Sequence, residues 1–189
     1  MVNAFIIHTL LPGPCRVLYQ QVYDVEQRDT TGTKSSDSDL RFLRKQKVQE
    51  VASEVHSEYQ FRRAVSSRTV EQDMQRLSNE DTLPEMEQGF LRLPEMDNMI
   101  AVWQGTGNTC CTLVCYETEN RMLAENALKI LLRFLQEHLR LLHQPIEVAN
   151  KPDKVAIVLN RFLPGGQLLF MNHRMVRQLE KEMDTLMKL

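Results

Sequence analysis

Three of the four cysteines crowd into one stretch, Thr109 to Tyr116 (TCCTLVCY), and the five histidines are His8, His56, His138, His143 and His173. Thiol and imidazole chemistry is therefore the first to weigh. No two cysteines have the C-x-x-C spacing of a zinc or dithiol redox site. On a strand Cys110 and Cys111 point to opposite faces, the pattern of buried free thiols rather than of a metal cage. His138 and His143 lie about 140° apart around a helix and share no face for an ion. His138 interrupts an apolar arc near a helix end, which suits a core-edge imidazole bonded to a carbonyl and favoured by the helix dipole. Glu137-His138 lacks the second histidine of a zinc-protease helix. An enzyme using Cys115 or His138 would need a depressed thiol pKa or a pocket joining the two. Gly105-Thr106-Gly107 has no following helix or lysine to make a phosphate cradle, and no serine sits in a Gly-x-Ser-x-Gly elbow. The residues assign no catalytic group, cofactor or metal.

The element that positions everything else runs from Asn120 to His143 (NRMLAENALKILLRFLQEHLRLLH). Its apolar residues, among them Leu123, Ala127, Ile130, Phe134 and Leu141, cover an arc roughly 200° wide, against a little over ~100° for an ordinary surface helix. It must be covered on two sides. Asn120 or Thr118 can cap its start, and Pro145 lies just past its end. Val2 to Leu10 reads as a central strand, and Leu11-Pro12-Gly13-Pro14 turns it into a second strand within Cys15 to Val25. A helix capped by Ser38 or Asp39 buries Leu40, Leu43, Val48, Val51, Ala52, Val55 and Tyr59, fading near Val65. Gly89 to Leu93 is an edge strand. Met99 to Gln104 and Thr109 to Tyr116 form a hairpin about Gly105–Asn108. Helices follow over Asp153 to Leu163, stopped by Pro164-Gly165-Gly166, and from Asn172 onward. The sum is an α+β domain over residues 1–189, a five-stranded antiparallel sheet packed between helices. Two segments, 27–39 and 66–88, lose periodicity and read as mobile loops.

Apolar content of 42% supports a real core, and a net charge of −2 argues against nucleic acid. The cysteine usage and the absence of an Asn-x-Ser/Thr site suit a reducing compartment. No apolar run reaches the ~18 residues of a membrane span, and MVNAFIIHTLL lacks a basic n-region, so the chain reads as cytosolic. Arg44-Lys45-Gln46-Lys47 and Arg62-Arg63 read as a solvated helix face. Ser35, Ser36 and Ser38, beside Asp37 and Asp39, are exposed to phosphorylation without forming a defined switch. Phe162, Leu163, Leu168, Leu169 and Phe170 are apolar residues beyond what one small core needs, and they mark an expected partner interface.

Several blocks carry a resemblance: MVNAFIIHTL at 1–10, CRVLY at 15–19, LRKQKVQEVA at 43–52, ENRMLAENALKILLRFLQEHLRLL at 119–142 and, above all, RFLPGGQLLFMNHRMVRQLEKE at 161–182. The chain resembles the longin-like small (sigma) chains of adaptor-protein complexes, and among them those of the fifth complex. The resemblance implies a longin-like fold and a non-enzymatic subunit without cofactor, packed on a large zeta chain in a heterotetramer with beta and mu chains. It further implies association with spatacsin and spastizin, peripheral on late endosomes and lysosomes, and a part in retrieval to the Golgi. Related complexes also read acidic dileucine signals, a pocket that the residues do not place here. The rival from another class is a longin or roadblock-type regulator that binds a small GTPase. A longin-type fusion protein is disfavoured because no membrane span follows the last helix.

Overall fold

Apolar side chains on both faces of the first strand demand cover from two directions. The computed structural model describes residues 1–23, 37–77, 84 and 86–187, the side chains of 37 and 76 excepted. Strand β1 (Val2–Thr9) pairs with β2 (Val17–Val22) on one side and β5 (Thr109–Tyr116) on the other. Strands β3 (Glu87–Arg92) and β4 (Met99–Thr106) complete a five-stranded sheet of order β2-β1-β5-β4-β3, antiparallel throughout. This is the expected α+β sheet. From Ala4 onward β1 alternates, Phe5 and Ile7 entering one core and Ala4 and Ile6 the other, while a register shift against β5 between Val2 and Ala4 puts Val2 on the side of Phe5 and Ile7.

Helix α1 (Asp37–Val65) covers the second face with Val48, Val51, Ala52, Val55 and Tyr59. Trp103 of β4 lies fully buried beneath it, edge-on to Tyr59 and under the Arg62 guanidinium. The first face receives α3 (Arg121–Leu139), capped by the Asn120 side chain, which accepts from Leu123 N at 3.1 Å. Leu128, Leu131, Leu132, Leu135, Leu139 and Phe134 are all buried. At about 1.5–3 kcal/mol each they contribute on the order of 10–18 kcal/mol, an upper bound. The second side of the wide arc is covered by α5 (Pro152–Phe162), which buries Val155, Val158, Leu159 and Phe162; Phe162 meets Phe134 with ring centroids 4.6 Å apart. Helix α6 (His173–Leu186), capped by Asn172, closes this layer with Val176 and Met183.

The structure differs from the sequence reading at four places, the first being Leu43, expected on the buried face of α1 and found 50% exposed. Helix α3 stops at Leu139 because Arg140 adopts a left-handed conformation (φ 50°), although Leu141 and Leu142 beyond it remain buried. A short helix α4 (Ile146–Asn150) fills the connection and buries Val148. Within the segment expected as a loop at 66–88, α2 (Val70–Arg76) forms behind a Thr69/Gln72 capping box, and the buried Asp73 accepts from Tyr59 Oη at 3.1 Å. Residues 78–83 and 85 of that segment, and 27–36 of the first expected loop, lie outside the described residues, while 37–39 open α1.

Candidate functional site

Among the described residues, the one place where a thiol meets an imidazole is at the β1–β2 end of the sheet. His8 is fully buried opposite Cys110 in the β1–β5 register. Its Nε2 lies 3.2 Å from Thr112 Oγ1, and Cys15 Sγ lies 3.6 Å from its Nδ1. His56 Nδ1 donates to Thr9 O at 3.0 Å, and Gln49 Nε2 donates to Cys15 O at 3.0 Å, so α1 holds the turn by its carbonyls. The protonation states decide against nucleophilic catalysis. Burial pushes the Cys15 thiol up to about 11, and burial, with the neighbouring His56 adding to it, holds His8 down near 4. Both groups are neutral at pH 7, whereas an activated thiol needs the opposite pair of shifts.

Two measurable consequences follow from these environments. Cys15, the half-exposed thiol, should react with a disulfide reagent at pH 8 about a hundredfold more slowly than an unperturbed cysteine, because burial pushes it from 9.0 up to about 11 and removes about 99% of its thiolate. Cys110, Cys111 and Cys115, all raised by burial, should react only after denaturant is added; rapid labelling of four thiols in native buffer would contradict the fold. His8 titrates below its ordinary 6.5, so the unfolded chain binds its proton first. Its contribution to stability is complete above pH 6.5 and drains away as the pH falls toward 4, with about 2 kcal/mol lost between pH 7.5 and 5. A His8→Gln variant should lose that much of the wild-type pH slope, read from urea midpoints at the two pH values.

The other chemistry-bearing positions are structural. Cys110 faces the α1 core, and Cys111 and Cys115 face the α3 core, as alternation requires. Cys115 pairs with Val2, and no described interaction joins it to His138. His138 stacks on Phe134 at 6.1 Å instead of bonding a carbonyl. That role belongs to His143: its Nε2 donates to Leu77 O at 2.8 Å while Gln136 Nε2 donates to its Nδ1 at 2.6 Å. The ring thereby ties the end of α3 to the end of α2. Among the described residues no group of three or more His, Cys, Asp or Glu side chains could hold a metal, and no helix is long and apolar enough to cross a membrane.

What remains is surface, and the five residues expected at an interface separate there. Phe162 and Leu163 are fully buried, because α5 spends its whole apolar face on α3 and the end of that face on Phe134. They are closed to a partner in this conformation. Leu168 and Leu169 are half-buried, and Phe170 is 79% exposed on the connection into α6. Met175, one turn into α6, is exposed beside it in sequence. The charges of α6 are only partly sorted by face, since the exposed Asp184 lies about 20° around the helix from Arg177. Glu180 pairs with Arg133 of α3, and Glu182 lies 3.7 Å from Arg161 of α5. Arg174, Arg177 and Lys181 stay exposed on the outer side, where the sequence reading registered only the helix's inward residues. Plotting α6 at 100° per residue would have shown them within an arc of roughly 60° opposite Val176 and Met183.

A family described as AP-5 complex subunit sigma-1 matches residues 1–184. The human (Homo sapiens) AP-5 complex subunit sigma-1 is 37% identical over 194 aligned positions, covering 96% of each chain. The mouse (Mus musculus) protein of the same description is 32% identical over 154, covering 75% of this chain and 90% of its own. In fold, the chain is similar to one in a structure described as "Homology model of the full-length AP-3 complex in a stretched open conformation". The TM-score is 0.51 at 12% identity, covering 100% of this chain and 94% of that one. The longin-like α+β architecture is thus shared with an adaptor chain.

Proposed function

Since the chain belongs to the AP-5 complex subunit sigma-1 family, an adaptor-subunit family of non-catalytic kind, we propose that it works as the small chain of a heterotetrameric adaptor and stabilises the large zeta chain. The observation that carries this reading is the family match over residues 1–184, which takes in the sheet, both helical layers and the exposed Phe170 connection. An exposed aromatic flanked by half-buried leucines is the kind of anchor that a larger subunit covers. Leu168, Leu169 and Phe170 are the proposed contacts. Beta and mu chains complete the complex, and spatacsin and spastizin associate with it. The working place is the surface of late endosomes and lysosomes, held there through the complex, and the process is sorting with retrieval to the Golgi.

The test is affinity capture from cells at near-native expression, with quantification of the recovered chains. Recovery of a large adaptor chain in equal amount supports the reading. Recovery of a small GTPase alone, dependent on its bound nucleotide, would replace it with the regulator reading.

A further inference from the structure

We propose that the cavity beneath the first half of α1 binds a medium-chain fatty carboxylate, with the acyl chain inside and the carboxylate between Asn3 and Lys47. The cavity, about 240 Å³, lies between α1 and the sheet, and Ile6, Val22, Val48, Val51, Met99 and Val114 are among its walls. Four strands and a helix therefore contribute to it. One polar group interrupts these apolar walls. Asn3 is only 7% exposed yet lines the cavity, and no hydrogen bond to its side-chain amide is found among the described residues. The bulge in β1 places it there. Val2 pairs with Cys115 and Ala4 with Val114, so Asn3 faces no residue of β5, and its side chain joins those of Ala4 and Ile6 along the cavity. A buried amide needs a partner, and a bound ligand supplies one. The charged lining is Arg44 and Lys47, one turn apart on α1, and no acid is among the described lining residues.

Size and charge select the ligand class. A cavity of about 150 Å³ holds benzene, and pockets for drug-sized ligands run about 300–1,000 Å³. At about 30 Å³ for each heavy atom at liquid density, the space here holds an acyl chain of about eight carbons. Inorganic phosphate would leave the apolar walls facing water, and a fatty alcohol would leave Lys47 without an opposite charge. The carboxylate instead accepts from Asn3 Nδ2 and from the exposed Lys47 Nζ, two bonds strengthened by its charge. The chain joins the sheet to the loosest part of α1, where Leu43 lines the same cavity and is half exposed. Such a site is independent of the subunit contact at Phe170.

The experiment titrates the full chain, alone and co-expressed with its large subunit, with octanoate and separately with 1-octanol, reading binding by ligand-observed NMR. The expected result is saturable binding of octanoate to both samples, about tenfold or more tighter than that of 1-octanol. Lys47→Glu, at an exposed position, should weaken octanoate about tenfold and leave 1-octanol unchanged. Asn3→Ala should weaken octanoate as well. Leu43→Trp, at the half-exposed wall, should abolish binding of both ligands with an unchanged urea midpoint, which keeps the test valid if Asn3→Ala does not fold. The proposal is overturned if octanoate shows no saturable binding at millimolar concentration, if 1-octanol binds as tightly, or if Leu43→Trp binds octanoate like wild type. Binding by the chain alone that disappears in the complex also overturns it, because the large subunit then fills the cavity.

Discussion

Replacing Phe134 with alanine should lower the unfolding free energy by about 3–5 kcal/mol, the usual range for emptying a fully packed aromatic site. The ring is buried on α3, meets Phe162 at 4.6 Å with a 42° tilt, and stacks with His138 at 6.1 Å. Its loss opens a hole between two helices that cannot both close on the sheet. Phe162→Ala should cost a similar amount. The double variant should cost less than the sum by about 0.5–1.5 kcal/mol, because the pair's own contact is counted twice in the single variants. Urea unfolding followed by tryptophan fluorescence reads all three. Phe170→Ala provides the contrast: an exposed ring should change stability by no more than about 0.5 kcal/mol. A Phe134→Ala cost below 1 kcal/mol would mean that α5 does not lie on α3.

The second large effect is expected at the junction into the last helix. Gly166 has φ +77°, and a methyl group there would sit 2.7 Å from Val2 O and 2.7 Å from Tyr23 Cβ. Left-handed backbone costs an L-residue about 1–2 kcal/mol, and overpacking adds about 1–3 kcal/mol. Gly166→Ala should therefore destabilise by about 2–5 kcal/mol. Gly165→Ala isolates the backbone part, since Gly165 has φ +58° but nothing within 4 Å of an added methyl. Its cost should stay near 1–2 kcal/mol. Equal costs at the two positions would show that the turn does not pack against β1 and Tyr23. The Gly166 variant should also weaken large-chain capture, because the displaced turn carries Leu168, Leu169 and Phe170.

The long periodic elements could be read from residues alone. The apolar arc of Asn120–His143 announced both α3 and the need for a second cover, and the Asn120 cap forms as expected. The β4–β5 hairpin and the two-faced β1 followed from alternation and turn chemistry. Short elements escaped. Helix α2 was signalled by Thr69 and Gln72, a capping box three residues apart, but the acidic run after it obscured about two turns of helix. The early stop of α3 has no local signal, since arginine seldom takes a left-handed conformation, and it is the tertiary bond of His143 to Leu77 that settles the turn there. Which of the five residues expected at an interface stay exposed was not legible. Apolar content marked Phe162 through Phe170, but composition cannot say which of those side chains the chain keeps for itself. That division depended on α5 lying across Phe134.

The sheet order has a consequence for synthesis. Strand β1 leaves the ribosome well before its inner neighbour β5, so Ile7 waits for Cys111 and Thr9 for Thr109. At translation speeds of about 5–20 residues per second, roughly 5–20 seconds separate the two. During that interval a greasy ribbon with only β2 beside it is open to mispairing with other nascent chains. Holdase chaperones that bind extended apolar peptides should therefore meet this polypeptide at β1 and release it once the β4–β5 hairpin has emerged.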